Sequence, residues 1–265
     1  MPLTFPSHLA PVLPLKLWRP HWFDGVALST GAVAPDVGYL FTGTALAPGL
    51  RTHTLGGLLW WCLPVALAYA WIVRRVIAGV AVHLPGRRLF GWPDHAALAG
   101  VRHPWQVTVC SALIGAFSHV AWDRVTHSDR WPRLLGIADF HALTGLYWWQ
   151  LSDVTGTLGG GLLVAALAVR AARRHEIFEG VPPPPPAPPA RPGVFWAVAL
   201  AVTGLGTLLL PGLPAATVPA PAGVRLLHLA AVALIAGAAA AGALAPSPPE
   251  ALRSHRLEHK QRPSG

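Results

Sequence analysis

LGGLLWWCLPVALAYAWIV, residues 55–73, runs for nineteen residues without a charge. A helix that crosses a membrane needs roughly 20 predominantly apolar residues, because the hydrocarbon core is about 30 Å thick and holds no water to bond the backbone. This stretch meets that demand, and four others resemble it. Residues 104–122 carry His119 as their one imidazole and no full charge. Residues 154–169 are uncharged and can extend back toward Leu143 if Asp153 faces protein. Residues 194–210 and 226–244 are likewise uncharged. The expectation is an all-α, polytopic integral membrane helical bundle of five transmembrane helices. Gly25 to Ala47 makes a sixth, broken or re-entrant N-terminal element, because Pro35 and four glycines interrupt it and Asp36 stands in its middle.

Composition agrees. The 265 residues are 53% hydrophobic and only 12% charged, and the mean hydropathy is +0.46. A net charge of +9 would point to nucleic acid in a soluble chain. Here the positive residues occupy short loops and tails, where membrane orientation and anionic headgroups account for them, so no nucleic-acid partner is expected. Cys62 and Cys110 fall in consecutive spans at depths that differ by about 10 Å, too far for a disulfide, and read as buried thiols. The N-terminus lacks the basic segment of a signal peptide.

The arginines orient the bundle. Arg74, Arg75, Arg87, Arg88 and Arg102 place the loop between the first two long spans in the cytoplasm. Residues 123–141 mix three arginines with three aspartates and fall outside; Arg170, Arg173, Arg174 and Arg191 return the chain inside. The run VPPPPPAPPARPG, residues 181–193, favours polyproline II and cannot be helical. The chain therefore divides into a membrane module (1–175), a proline-rich cytoplasmic linker (176–193), a C-terminal transmembrane hairpin (194–246) and a basic cytoplasmic tail (247–265). The small residues of LIAGAAAAGALA in the hairpin imply close helix packing.

Against this apolar background SHVAWDRVTH, residues 118–127, needs explaining. His119, Asp123 and His127 advance by four and form one stripe on a helix, close enough at i and i+4 to share an ion. Ionisable groups in a span are expensive, by about 2.5–3.5 kcal/mol at its centre, and face protein or a water-filled cavity. The orientation places His53, before the first long span, at the same outer end as His119 and Asp123. Asp36 can join them from the broken element, and His8 can join if the N-terminal segment dips into the bundle. The same residues also fit a capped interfacial histidine bonded to Asp123, or a proton relay.

The ordered set of S-H near the start, A-P-D, H-T before an apolar run and S-H-x-x-W-D-x-x-T-H resembles a family of uncharacterised bacterial polytopic membrane proteins, itself similar to the inner-membrane metal-dependent hydrolase family. The resemblance covers residues 1 to about 170. It implies metal ligands His8, Asp36, His53, His119 and Asp123, with His127 a further candidate; if the ion is catalytic, Asp123 or His127 serves as the base rather than as a ligand. The related hydrolases carry a second acidic residue in P-D-x-D where this chain has Gly38, which speaks against a two-metal site. Mixed imidazole and carboxylate donors suit a divalent metal, zinc first, with manganese or iron as alternatives. Such an ion would lower the pKa of a bound water toward about 7. The expected function is metal-dependent hydrolysis of a membrane-associated small or lipid substrate, a lipid or a phosphoester, at the extracytoplasmic face of a multi-pass cell-membrane protein. A transporter or proton-coupled protein using the same cluster, and a non-catalytic scaffold working through the proline run, are the alternatives.

Overall fold

The computed structural model describes residues 5–128, 130–174 and 190–243. Most of the proline-rich linker and the whole basic tail lie outside the described residues. Among those described, all regular structure is helical. Two short helices, α1 (Phe5–Leu9) and α2 (Leu13–Trp18), precede α3 (Gly25–Val33). The longer helices are α4 (Leu55–Ala81), α5 (Trp105–Thr126), α6 (Trp148–Arg174), α7 (Pro192–Leu209) and α8 (Pro219–Ala243).

Four of these, α4, α6, α7 and α8, are long and apolar enough to cross a membrane. The sequence reading counted five. α5 is long enough at 22 residues, but the polar residues of its last two turns keep it out of that group. The uncharged stretch that opened the sequence reading is only the front of α4, which continues past Val73 through Arg74 and Arg75 to Ala81. One turn of α4, Leu58–Cys62, is a π-helix, in which the Leu63 N–H reaches back to the Leu58 carbonyl. Pro64 explains the wider turn: it has no N–H to continue the ordinary ladder, and the extra residue absorbs the break.

The broken element resolves into two pieces. α3 spans nine residues, capped by Asp24, whose side chain accepts from the Ala27 N–H at 3.2 Å. After Pro35 the chain tightens into a 3-10 helix, Asp36–Phe41. At about 1.5 Å per residue α3 is far too short to cross a membrane.

α3 packs on α5 with backbone against backbone. A Cβ on Gly31 would lie 2.1 Å from the Ala112 carbonyl oxygen, and one on Gly115 would lie 2.2 Å from that of Leu28. Only glycine fits at either position, and the close approach is what brings the end of α3 beside the last turns of α5. Around this crossing Ala27, Cys62, Ala66, Ala112 and Ala116 are fully buried. At the far end of the same helices Asp24 pairs with Arg74 and accepts from the Thr108 hydroxyl at 2.8 Å.

The C-terminal hairpin is closely packed, with Gly237 of α8 against the Phe195 carbonyl of α7. It also docks on the first part of the chain. His228 pairs with the Tyr69 hydroxyl at 2.7 Å. Arg225, 6% exposed, donates to the carbonyls of Leu40, Thr42 and Pro214. Both cysteines are free, as their depths require, but Cys110 is exposed where a buried thiol was expected.

Candidate metal centre

Three separate segments deliver the polar cluster. The 3-10 turn after Pro35 presents Asp36. The bend Arg51–Thr54 presents His53; Thr54 caps α4 by accepting from the Gly57 N–H at 3.1 Å, and Arg51 takes the left-handed φ of 34° that the tight return requires. His53 is steadied by Thr52, whose hydroxyl lies 2.9 Å from Nδ1. Thr52 in turn packs against Gly38, where a Cβ would come within 2.7 Å of its methyl group. A side chain at position 38 would therefore disturb the His53 support, which gives a physical reason for the glycine there.

α5 supplies His119 and Asp123 one turn apart. His119 is fully buried, and its Nδ1 donates to the Ala32 carbonyl at 2.6 Å. A carbonyl can only accept, so Nδ1 carries a proton, and in the neutral ring Nε2 then keeps its lone pair. That lone pair faces Asp36 Oδ1 at 3.4 Å and Asp123 Oδ2 at 3.3 Å. His53 Nε2 faces the same two oxygens at 3.5 Å and 3.4 Å. Neither nitrogen has a hydrogen-bond partner, although both are buried atoms. Lone pairs directed at carboxylates repel unless a positive charge lies between them.

The spacing fits that requirement. Donors held at about 2.0–2.1 Å in a tetrahedron around zinc stand about 3.3–3.4 Å apart, close to all four nitrogen–oxygen separations here. Asp36, His53, His119 and Asp123 form a group that could hold a metal ion, with one donor atom from each inside 4.8 Å of the others.

His8 lies beside this group. α1 packs against α6, with Ser7 over Gly156, so the N-terminal segment does enter the bundle. The His8 ring stacks on His119 at 3.7 Å, and its Nε2 stands 3.6 Å from Asp123 Oδ1, the oxygen turned away from His119. Burial, the largest cause, pushes its pKa down to about 3, so it is neutral. His127, the residue that ends α5, also faces Asp123 Oδ1, at 3.7 Å through Nδ1. Its Nε2 meets Asp153 Oδ1 at 3.3 Å, and that carboxylate is the main cause of its raised pKa. Asp153 was foreseen only as a residue that must face protein. Its position directly before the uncharged run 154–169 gave no hint of its partner.

One side of the cluster is open. Asp36 is 15% exposed, whereas His53 and Asp123 reach 31% and 23% and, with His127, line a cavity of about 600 Å³. Four protein donors would fill a tetrahedron, so water or substrate would have to join as a fifth ligand from this open side. His141 stacks on Tyr147 at 4.2 Å.

A family model described as a domain of unknown function (DUF4184) matches residues 1–247. The chain belongs to that family. The DUF4184 match runs through the linker and over the hairpin, beyond the part covered by the resemblance noted in the sequence. No curated protein and no solved structure matches the chain.

Proposed function

We propose that this DUF4184 protein is a membrane-embedded, metal-dependent hydrolase whose site opens near the extracytoplasmic face and acts on a membrane-associated lipid or phosphoester. The observation that carries the reading is the pair of buried, unpartnered Nε2 atoms of His53 and His119, each aimed at the same two carboxylates at tetrahedral spacing. Asp36, His53, His119 and Asp123 would hold the ion, zinc being the first expectation, and His8 is placed to support Asp123 from its far oxygen. When bound, the ion supplies Lewis acidity toward an ester oxygen and toward water.

The chain's own residues do the rest. The Ala32 carbonyl fixes the His119 tautomer, an arrangement common to metal-binding imidazoles. His127, which meets Asp123 and Asp153 and borders the cavity, would pass a proton between water and the leaving oxygen. In the overall reaction the water oxygen bonds to the acyl carbon or phosphorus, the ester bond breaks, and the water proton ends on the leaving oxygen. Conduction is the weaker reading: between this cluster and the Asp24–Arg74 pair the helices meet through buried Ala27, Ala66, Ala112 and Ala116, and the Thr30 hydroxyl there is tied to the Ala66 carbonyl.

The extracytoplasmic placement rests on the arginine distribution. The test is metal content and hydrolysis of short-chain ester and phosphoester probes by the purified full chain, beside Asp36→Asn and His119→Ala. One equivalent of zinc with hydrolysis lost in both variants supports the reading. Wild type with no stoichiometric metal ends it.

A further inference from the structure

We infer that the cavity at the mouth of the metal centre binds the phosphate group of an amphiphile, with Arg124 and Arg130 taking its charge. The inference rests on the reading of the cluster as a metal site and narrows the substrate class of that site. Besides His53, Asp123 and His127, the cavity is lined by Arg124, Arg130 and Trp131.

Charge decides what enters. A divalent ion held by Asp36 and Asp123 through neutral imidazoles has both its charges offset by carboxylates, so the ion alone attracts an anion weakly. The two guanidiniums make the mouth positive. Among the described residues, neither is paired with a carboxylate. Arginine's planar fork matches the oxygens of a phosphate, and cationic clamps beside a metal stabilise the charge that develops during phosphoryl or phosphoester cleavage.

Shape adds the second half of the ligand. Val120, Val125 and the 40% exposed Trp131 give the same cavity an apolar wall. The cavity includes His53, just before the start of the membrane-length helix α4, so it stands near the level where headgroups meet acyl chains. An arginine pair on one side and apolar wall on the other suit an anionic head joined to a hydrocarbon tail.

The full chain in neutral detergent, zinc-loaded and metal-free, is titrated calorimetrically with decyl phosphate, inorganic phosphate and decanol. Decyl phosphate should bind the tightest. Arg124→Gln and Arg130→Gln should each weaken it about tenfold, with lysine at either position recovering part of the loss. Equal binding by decanol, or an unchanged affinity in the double glutamine variant, overturns the inference. Inorganic phosphate binding as tightly as decyl phosphate overturns its amphiphile half and identifies a free-phosphate site. Zinc analysis of the same samples separates the two readings. Variants that keep one zinc and lose decyl phosphate support the inference; a chain that binds decyl phosphate through the arginines but holds no metal sinks the metal reading alone.

Discussion

His119 donates through Nδ1 to the backbone carbonyl of Ala32 at 2.6 Å, a contact between α5 and α3 that leaves its other nitrogen directed at two carboxylates. The metal hypothesis turns on this tautomer, because a proton on Nδ1 is what makes Nε2 a donor atom to a cation.

The first expectation concerns that nitrogen. His119→Ala should reduce bound zinc from about one equivalent to background while helicity by circular dichroism stays at the wild-type level. A variant that retains a full equivalent would remove His119 from the ligand set.

The second concerns a residue that touches no ion. A methyl group on Gly115 must displace the Leu28 carbonyl, from which it would stand at 2.2 Å. Gly115→Ala should push α3 from α5, lengthen the His119–Ala32 contact and weaken zinc binding by roughly 10–100-fold. Overpacking should also cost about 1–3 kcal/mol of stability. Competition titration with a chelating dye and a thermal melt read both effects; wild-type values in both would show that the crossing does not govern the centre.

The third tests the hairpin's part. Arg225→Met leaves the carbonyls of Leu40, Thr42 and Pro214 without their donor, for about 1–3 kcal/mol of destabilisation. Because Leu40 and Thr42 follow closely on Asp36, zinc affinity should fall as well, and Arg225→Lys should recover part of both losses. A melt unchanged by Arg225→Met would mean that water replaces the guanidinium.

The fourth is a pH dependence. Burial holds the pKa of His8 far below its ordinary 6.5, at about 3. The unfolded chain therefore takes up this proton first as pH falls, so the folded state loses stability from His8 between about pH 6.5 and 3 and keeps it above that window. From pH 7 to 5 the contribution amounts to at most about 2 kcal/mol. Thermal melts of the metal-free protein should show His8→Gln losing less stability than wild type over that interval. Parallel curves would place the His8 proton uptake elsewhere.

Much of the architecture was legible because bilayer physics is written into composition. Uncharged runs marked α4, α6, α7 and α8, and the Pro35 interruption marked a broken element. α5 was counted on the same footing, although it carries His119, Asp123 and Arg124 in its last two turns. Where helices end was less legible: α4 carries Arg74 and Arg75 inside its span of 27 residues, because Arg74 pairs with the buried Asp24 and Arg75 lies over the Trp71 ring.

The i, i+4 spacing of His119, Asp123 and His127 could be read directly, since it follows from 3.6 residues per turn. Asp153 and Arg225 could not. Their partners are His127 on one side and the Leu40, Thr42 and Pro214 carbonyls on the other, and no local period links such distant positions. Arg124 and Arg130 were read only as topological charge, because a sequence shows the sign of a loop and not the cavity it borders.

By itself, then, the sequence determined that this chain is a helical membrane protein with a few costly polar residues, since the absence of water in hydrocarbon constrains every segment locally and leaves its mark in composition. Only the tertiary structure decided that Asp36, His53, His119 and Asp123 converge. That convergence depends on the glycine crossing of α3 with α5 and on the return of the chain at Arg51, contacts whose energy arises between segments and has no signature within any one of them.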